Sequence, residues 1–273
     1  MKDTLSAWTT YGIGGAARRL TVVDERARLI ELAPDALVLG GGSNVLVSDD
    51  GYDGDVVINR YAEVNRRGHS VTVGSGMRLP RLCGYLAENG LSGLEFAVGI
   101  PASVGGAVRM NAGAFGGCIA DRLVCAEVLT GGVVKCLSAA ELGLSYRHSA
   151  LKDGDVVLTA TFALDSNAPA DVKARGAEYA RLRRQKQPSG RSAGSVFKNP
   201  QGAAIARLID EAGLKGLRRG GAVISPVHAN FIVNDGGATA RDVRALIDTV
   251  KAELAARYGV TAQEEIIYIG EFG

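Results

Sequence analysis

Residues 39–47 read LGGGSNVLV and set three consecutive glycines and a serine between two short apolar segments. The flanking residues 36–39 and 45–48 have the composition of buried strands. A dinucleotide-binding loop of the Rossmann kind needs another glycine followed by a helix, which excludes that motif here. Three glycines still expose several backbone amides to an anion, and Ser43 adds a hydroxyl donor. The loop alone is equally compatible with a glycine-rich β-turn that binds no ligand.

Glycine sets the composition of the chain apart, with 37 glycines among 273 residues. That is about twice the usual share of about 7%. The glycines are clustered without a period, which excludes a collagen-like chain and indicates backbone lying close to a ligand. A net charge of +2 gives no indication of a nucleic-acid or membrane partner.

The apolar stretch at residues 96–108 contains Pro101 and is shorter than the roughly 20 residues of a membrane helix. The first 15 residues contain no apolar run of the kind that a signal peptide needs. The cysteines show no C-x-x-C spacing, so we expect neither a disulfide framework nor a metal site. These features predict a cytoplasmic protein.

Working outward from the glycine loop, alternating and apolar patterns predict strands at residues 19–23, 55–58 and 70–73, and helices at 25–32 and 79–88. Residues 93–117 are apolar but rich in glycine and lack a regular period, which predicts a buried loop that needs an external partner. A hairpin with Gly131-Gly132 at its turn joins strands 123–129 and 133–137, and a longer strand follows at 155–164.

A polar helix at residues 171–186 ends before Pro188, where we place a domain boundary. Beyond it, we expect a helix at 203–212, strands around Val223 and Phe231, and a last strand at 266–269. The clearest helix runs from Thr239 to Gly259, with a capping-box start and one apolar stripe. The fold class predicted from this order is α+β.

Two further glycine motifs fall short of known patterns. Residues 74–79 (GSGMRL) lie between a strand and a helix but lack the third glycine of a dinucleotide loop. Residues 190–194 (GRSAG) match the serine-hydrolase pattern G-x-S-x-G, but no apolar strand precedes them. Neither motif predicts an activity by itself.

Seven segments in a fixed order resemble one family, the UDP-N-acetylenolpyruvoylglucosamine reductases, in its shorter subtype. These flavoenzymes complete UDP-N-acetylmuramate for peptidoglycan. The segments are TTYGIGG (9–15), LGGGSNVLV (39–47), GIPASVGGAVRMNAGA (99–114), YRHS (146–149), GSVFKNP (194–200), HANF (228–231) and QEEIIYIG (263–270). Three positions depart from the family pattern: Ala102 replaces a frequent glycine, residues 188–192 are about one residue short, and Gln263 replaces a common glutamate.

The resemblance implies an FAD-binding region of the vanillyl-alcohol-oxidase (PCMH) type at residues 1–187, in two subdomains of about 1–60 and 61–187. A smaller α+β substrate domain would follow at 188–273, and its last strand could return to the first region. Implied FAD contacts at the pyrophosphate are Gly40, Gly41, Gly42, Ser43 and Asn44. Implied contacts around the flavin are Gly99, Ile100, Pro101, Ser103, Gly105, Gly106, Asn111, Ala112, Gly113 and Arg183.

The implied reaction passes a hydride from NADPH to FAD and then to the β-carbon of an enolpyruvyl ether, with a proton added at the α-carbon. Arg147 would hold the substrate carboxylate, since a guanidinium grips a carboxylate through two bonds. Ser195 would donate the proton, and Glu265 would act as a neutral acid with a raised pKa. The adjacent Glu264 is the alternative to Glu265. Ordinary surface or turn positions remain the alternative for all three.

Tyr146, Lys186, Asn199 and Asn230 are the implied substrate contacts. The histidines show no metal spacing and receive no catalytic role. We expect a UDP-sugar partner, no nucleic acid, and a monomer. Two alternatives stay open: an FAD oxidoreductase of the same fold with another substrate, and a nucleotide-sugar-binding protein with an inactive site.

Overall fold

The structure is a computed structural model that describes residues 4–272. Its backbone forms two compact units. The terminal unit contains the described residues up to Arg19, Gly42–Gly54 and the chain from Arg184 onward. The sheet unit contains Leu20–Gly41 and Asp55–Arg183. The boundary between the units therefore divides the glycine loop at residues 40–44.

Short strands outnumber helices along the described chain. The helices are α1 (Arg26–Leu32), α2 (Leu79–Glu88), α3 (Val104–Arg109), α4 (Pro169–Lys186), α5 (Ile205–Glu211) and α6 (Ala240–Tyr258). The strands are β1 (Ala17–Val23), β2 (Leu37–Leu39), β3 (Val45–Val47), β4 (Tyr52–Asn59), β5 (Val64–Arg67), β6 (Ser70–Gly74), β7 (Leu91–Ser92), β8 (Gly113–Ala114), β9 (Gly117–Cys118), β10 (Leu123–Thr130), β11 (Val133–Ser138), β12 (Val156–Ala163), β13 (Asp165–Ser166), β14 (Arg218–Arg219), β15 (Ala222–Ile224), β16 (Ile232–Asn234) and β17 (Ile267–Ile269).

The sheet unit is built on an antiparallel sheet with the strand order β11-β10-β12-β6-β5. Apolar side chains of α2 and α3 share one buried core with β6, β10 and β12. A second cluster joins Leu29 of α1 to Leu129 and Leu158 of the sheet. The parallel pair β2 and β4 lies with β1 in a three-stranded sheet. These layers fix the ends of the loops that carry the glycine motifs.

The terminal unit packs α5 and α6 against the three-stranded sheet β14-β15-β16. The α6 side chains in this core are Val243, Leu246, Ile247, Val250 and Leu254, which is the stripe that the sequence predicts. The last strand, β17, pairs in parallel with β3, so that Ile267 lies opposite Val45. The residues after the glycine loop are thereby held beside the C-terminal segment.

Most of the predicted elements are confirmed, including the hairpin of β10 and β11 and the whole of α6. Thr239 forms the predicted capping box with Asp242, and Gly259 ends α6 in the left-handed conformation. The prediction of a loop without regular structure at residues 93–117 is wrong in part. The short helix α3 forms there because the Ser103 hydroxyl accepts a hydrogen bond from the Gly106 amide at its start.

The two compact units have different boundaries from the predicted domains. The described residues up to Arg19 and the segment Gly42–Gly54 pack with the C-terminal part of the chain, although the sequence predicts that they belong to the first region. Packing does not decide which ligand each region binds. The assignment of an FAD region and a substrate domain stays a prediction.

Candidate active site

The first half of the glycine loop lies tightly against the segment that begins α3. A side-chain carbon on Gly41 would stand 2.8 Å from the Arg78 Nη1 atom and 2.9 Å from the Pro101 carbonyl. One on Gly40 would collide with the Ser103 side chain. Glycine fits at these two positions because it has no side chain, and the backbone there stays bare. The contact brings together two of the segments that carry the family resemblance.

The second half of the loop is held within the terminal unit. Gly42 has a positive φ of 59°, and its carbonyl accepts a 2.9 Å hydrogen bond from the Thr10 amide. The Asn44 side-chain amide donates to the Glu265 carbonyl at 3.0 Å. The Ile267 amide donates to the Asn44 carbonyl at 2.9 Å. The loop and the segment of the candidate acid are therefore joined through backbone and side chain.

Within residues 4–272, three non-glycine residues have a positive φ, and all three lie in or next to the motif segments of the sheet unit. They are Asn111 at 40°, Phe115 at 53° and Arg147 at 54°. Such conformations are costly for side-chain-bearing residues and cluster at functional sites. Asn111 donates to the Ser145 carbonyl and accepts from the Ala120 amide, both at 3.0 Å. This amide holds the turn that carries Arg147.

The Arg147 guanidinium lies beside the glycine-rich segment. Its Nη2 donates to the Gly113 carbonyl at 3.2 Å, and its central carbon lies 5.3 Å from the centre of the Tyr146 ring. Tyr146 itself is exposed. The structure therefore brings Arg147, Gly113 and Asn111 together, and their roles at the substrate and the flavin stay predictions.

Arg183, near the end of α4, approaches the same segment. Its Nε donates to the Val98 carbonyl at 3.3 Å, and its guanidinium lies 5.5 Å from the Phe115 ring centre. Burial lowers the pKa of Arg183. Phe115 also stacks on Tyr179, with 5.0 Å between ring centres. Sequence reasoning missed both aromatic residues; an aromatic side chain directly after a glycine-rich run was the available signal.

In the terminal unit, Ser195 belongs to an extended segment that Asn230 holds in place. The Asn230 side chain accepts from the Phe197 amide at 2.9 Å and donates to the Phe197 carbonyl at 2.8 Å. The Val196 amide donates to the Asn230 carbonyl at 2.9 Å. Asn230 is 5% exposed, so these bonds are shielded from water. Asn230 therefore holds the Ser195 segment in place. Its predicted contact with the substrate stays a prediction.

The adjacent residues Glu264 and Glu265 have different hydrogen-bond partners. Glu264 accepts a 2.8 Å hydrogen bond from the Lys251 ammonium of α6. Burial alone would raise the pKa of Glu264, but the bonds from Lys251 and Tyr268 outweigh it and lower the pKa. Glu265 donates its backbone amide to the Val196 carbonyl at 2.7 Å, which places it beside the segment of Ser195.

Two of the predicted substrate contacts, Lys186 and Asn199, lie at exposed positions. Lys186 is the last residue of α4, and Asn199 accepts from the Ile205 amide at 3.1 Å at the start of α5.

Within residues 4–272 no group of three or more histidine, cysteine or acidic side chains could hold a metal ion. Over the same residues, every helix is too short or too polar to cross a bilayer.

Comparisons with known proteins define the class. Residues 17–136 match a family described as an FAD binding domain, and residues 185–269 match the C-terminal domain of UDP-N-acetylenolpyruvoylglucosamine reductase. The fold and the glycine-lined segments thus define a two-part, FAD-binding oxidoreductase. At the level of the whole chain, the protein belongs to the UDP-N-acetylenolpyruvoylglucosamine reductase family.

The individual relatives support this assignment along nearly the full chain. The reductase from Trichormus variabilis is 42% identical over 98% of this chain and 85% of its own. The reductase from Caldicellulosiruptor saccharolyticus is 42% identical over 100% of this chain and 92% of its own. The crystal structure of the Thermus caldophilus enzyme superposes with a TM-score of 0.88 and 41% identity, and the match covers 97% of both chains.

The residues present fit FAD. The backbone at Gly40 and Gly41 is bare at positions where a side-chain carbon would collide with its neighbours. The adjoining Pro101–Ser103 segment and the guanidinium of Arg78 supply amide and cationic donors beside it. Bare amides and a cation are the chemistry that a pyrophosphate needs.

Proposed function

We propose that the protein reduces UDP-N-acetylglucosamine enolpyruvate to UDP-N-acetylmuramate, with NADPH as the reductant and FAD as the cofactor. When bound, FAD supplies the hydride relay between the nicotinamide and the β-carbon of the enolpyruvyl group. The Gly40–Asn44 loop binds the pyrophosphate, and residues 99–113 with Arg183 surround the flavin. The product belongs to peptidoglycan precursor synthesis.

Arg147 holds the substrate carboxylate in this proposal. Addition of hydride at the β-carbon leaves negative charge that spreads from the α-carbon onto the carboxylate. A guanidinium keeps its positive charge and offers two parallel donors, so it stabilises this enolate, with its added charge, more than the substrate itself. The Gly113 carbonyl and the Tyr146 ring restrict its movement before substrate binds.

Ser195 and Glu265 are the proton donor and the neutral acid in this proposal. The Ser195 hydroxyl gives its proton to the α-carbon, which is basic enough in the enolate to accept one from a weak acid. Glu265 acts as the protonated carboxyl beside the developing charge. The Lys251 ion pair favours the charged form of Glu264, which supports Glu265 as the neutral acid.

One observation carries the proposal most directly. The side-chain amide of Asn44, the last residue of the glycine loop, bonds the carbonyl of Glu265, whose own amide bonds Val196 next to Ser195. Hydrogen bonds within the terminal unit thus link the last residue of the cofactor loop to Glu265 and link Glu265 to the neighbour of Ser195. A protein that merely bound a nucleotide sugar would have no need to join these three.

An anaerobic spectral titration tests the function. The purified protein should be yellow, NADPH should bleach its flavin absorbance, and the UDP-linked enolpyruvate should restore it. In the S195A variant, bleaching by NADPH should persist while the reoxidation step slows by about 100-fold or more, because only the second half uses that proton.

Ser192→Ala is the matched control, since Ser192 lies three residues away in the hydrolase-like motif and has no role in the proposal. It should keep both half-reactions. A colourless protein that takes up no FAD would contradict the proposal. Bleaching without reoxidation by the UDP substrate in the unchanged protein would identify an FAD oxidoreductase with another substrate.

A further inference from the structure

The motif GSGMRL at residues 74–79 falls short of a dinucleotide-binding pattern, but its Arg78 contacts the glycine loop. We propose that Arg78 is a cofactor-binding residue whose guanidinium binds the FAD pyrophosphate beside Gly40 and Gly41. The inference rests on the proposed use of FAD and adds a residue of this chain to that site.

The motif is a backbone partner of the segment that begins α3. The Leu79 amide donates to the Ala102 carbonyl at 2.9 Å, and the Val104 amide donates to the Met77 carbonyl at 2.8 Å. The Gly105 amide donates to the Ser75 carbonyl at 2.8 Å. This short antiparallel ladder fixes where the side chain of residue 78 emerges.

The Arg78 side chain runs directly to the glycine loop. Its Nη1 donates to the Gly41 carbonyl at 3.0 Å and would stand 2.8 Å from a side-chain carbon at that position. The same hypothetical carbon would be 3.0 Å from the Ser103 amide nitrogen. The guanidinium and a backbone amide therefore flank the bare backbone of Gly41 together. A guanidinium has five N–H donors, and the Gly41 carbonyl takes one of them.

The charge around Arg78 favours an anionic ligand. Within the part of the chain that the structure describes, Arg78 forms no ion pair with a carboxylate. Burial first, and then the positive charge of Arg60, lower the pKa of Arg78. A half-buried guanidinium without a carboxylate partner is stabilised when an anion binds beside it. A pyrophosphate carries two negative charges and accepts paired donors from arginine.

Two substitutions of Arg78 distinguish the effect of its positive charge from the effect of its hydrogen bond to the glycine loop. Arg78→Gln keeps an amide donor for the Gly41 carbonyl but removes the charge, whereas Arg78→Lys keeps the charge. Arg81→Gln is the matched control, because Arg81 is an exposed arginine of α2, three residues after Arg78. Each full-length variant is depleted of FAD and titrated with FAD and, separately, with riboflavin, which has no phosphate.

We expect R78Q to weaken FAD binding by about 10- to 100-fold, as for loss of a charge-assisted hydrogen bond, and R78K by only a few-fold. Riboflavin affinity should be unchanged in both variants. Added salt should weaken FAD binding less in R78Q than in the unchanged protein. The FAD-free R78Q protein should melt close to the temperature of the unchanged protein, because glutamine keeps a donor for the Gly41 carbonyl. R81Q should match the unchanged protein throughout.

Several results would overturn the inference while leaving the proposed function intact. One is R78Q binding FAD as tightly as the unchanged protein. Another is an equal loss for FAD and riboflavin, which would assign Arg78 to loop support alone. An unaltered FAD affinity with a raised KM for NADPH or for the UDP substrate would place the cation at another anion. An unchanged protein that takes up no FAD would overturn both proposals together.

Discussion

Helix α6 and the loop segment at residues 98–115 are stabilised by different kinds of contact. In α6, the five side chains of the apolar stripe pack into one core, and both helix ends are capped by residues next to them in sequence. In the 98–115 segment, Asn111 and Phe115 hold unfavourable backbone angles, and the bonds come from distant residues such as Ser145 and Arg183. The helix is stabilised by its own sequence neighbours, whereas the segment holds strained backbone through distant partners.

The largest predicted effect is at Arg147, which donates to the Gly113 carbonyl of the 98–115 segment and, like Asn111 and Phe115, has a positive φ, in its case 54°. Arg147→Gly should lower kcat/KM for the UDP substrate by about 1000-fold, because the cation at the developing charge is lost. The same variant should unfold at an equal or higher temperature, because glycine adopts this conformation without strain. Steady-state kinetics and thermal unfolding of the same preparation measure both.

The matching change in the helix should act in the opposite sense. Ala252→Gly, at an exposed position of α6, should lower stability by about 1 kcal/mol and leave kcat/KM unchanged. If Arg147→Gly loses stability as Ala252→Gly does, the backbone at 147 is not strained. The contrast between the two regions would then be incorrect.

Core truncation in α6 should have the next largest effect. Leu246 is fully buried in the terminal-unit core, and Leu246→Ala should reduce the free energy of unfolding by about 3 kcal/mol. Denaturant unfolding measures the loss. The FAD affinity of the folded fraction should stay unchanged, since Leu246 has no part in the proposed pocket. A parallel loss of FAD affinity would show that the two regions are energetically coupled.

A pair of glycine substitutions sharpens the comparison at a smaller scale. Gly41→Ala should weaken FAD binding by about 10-fold or more, because the added carbon has no room beside Pro101 and Arg78. Gly84→Ala, in α2, meets no atom within 4 Å and should stabilise the protein by up to about 1 kcal/mol. Flavin fluorescence and thermal unfolding distinguish them. Equal effects at both positions would contradict a tight loop.

The same division explains what could be predicted from the sequence. The apolar period, the Thr239 cap and Gly259 define α6 locally, so its bounds follow from neighbouring residues. The family motifs locate the glycine loop, but the approach of Arg78 to Gly41 joins residues 37 positions apart. The positive φ of Asn111 and the use of the Asn230 amide on Phe197 also depend on distant partners. No local pattern encodes such contacts.

The smallest predicted effect tests the two adjacent glutamates. Glu264→Gln should lower stability at neutral pH by about 0.2–1 kcal/mol, since it removes a partly exposed ion pair with Lys251. The pKa of Glu264 is lowered in the folded protein, so its contribution is present above the pKa of the unfolded chain and is lost as the pH falls through the folded value. The difference in stability between the variant and the unchanged protein should therefore disappear in acid.

Activity separates Glu264 from its neighbour. Glu264→Gln should keep substrate reduction, whereas Glu265→Gln should lose most of it, because an amide cannot supply the proposed acid proton. Anaerobic reoxidation of the reduced protein by the UDP substrate measures this step alone. A reversed result would make Glu264 the acid and would require its ion pair with α6 to open on substrate binding. In that case the acid of the reaction would depend on helix α6 through Lys251.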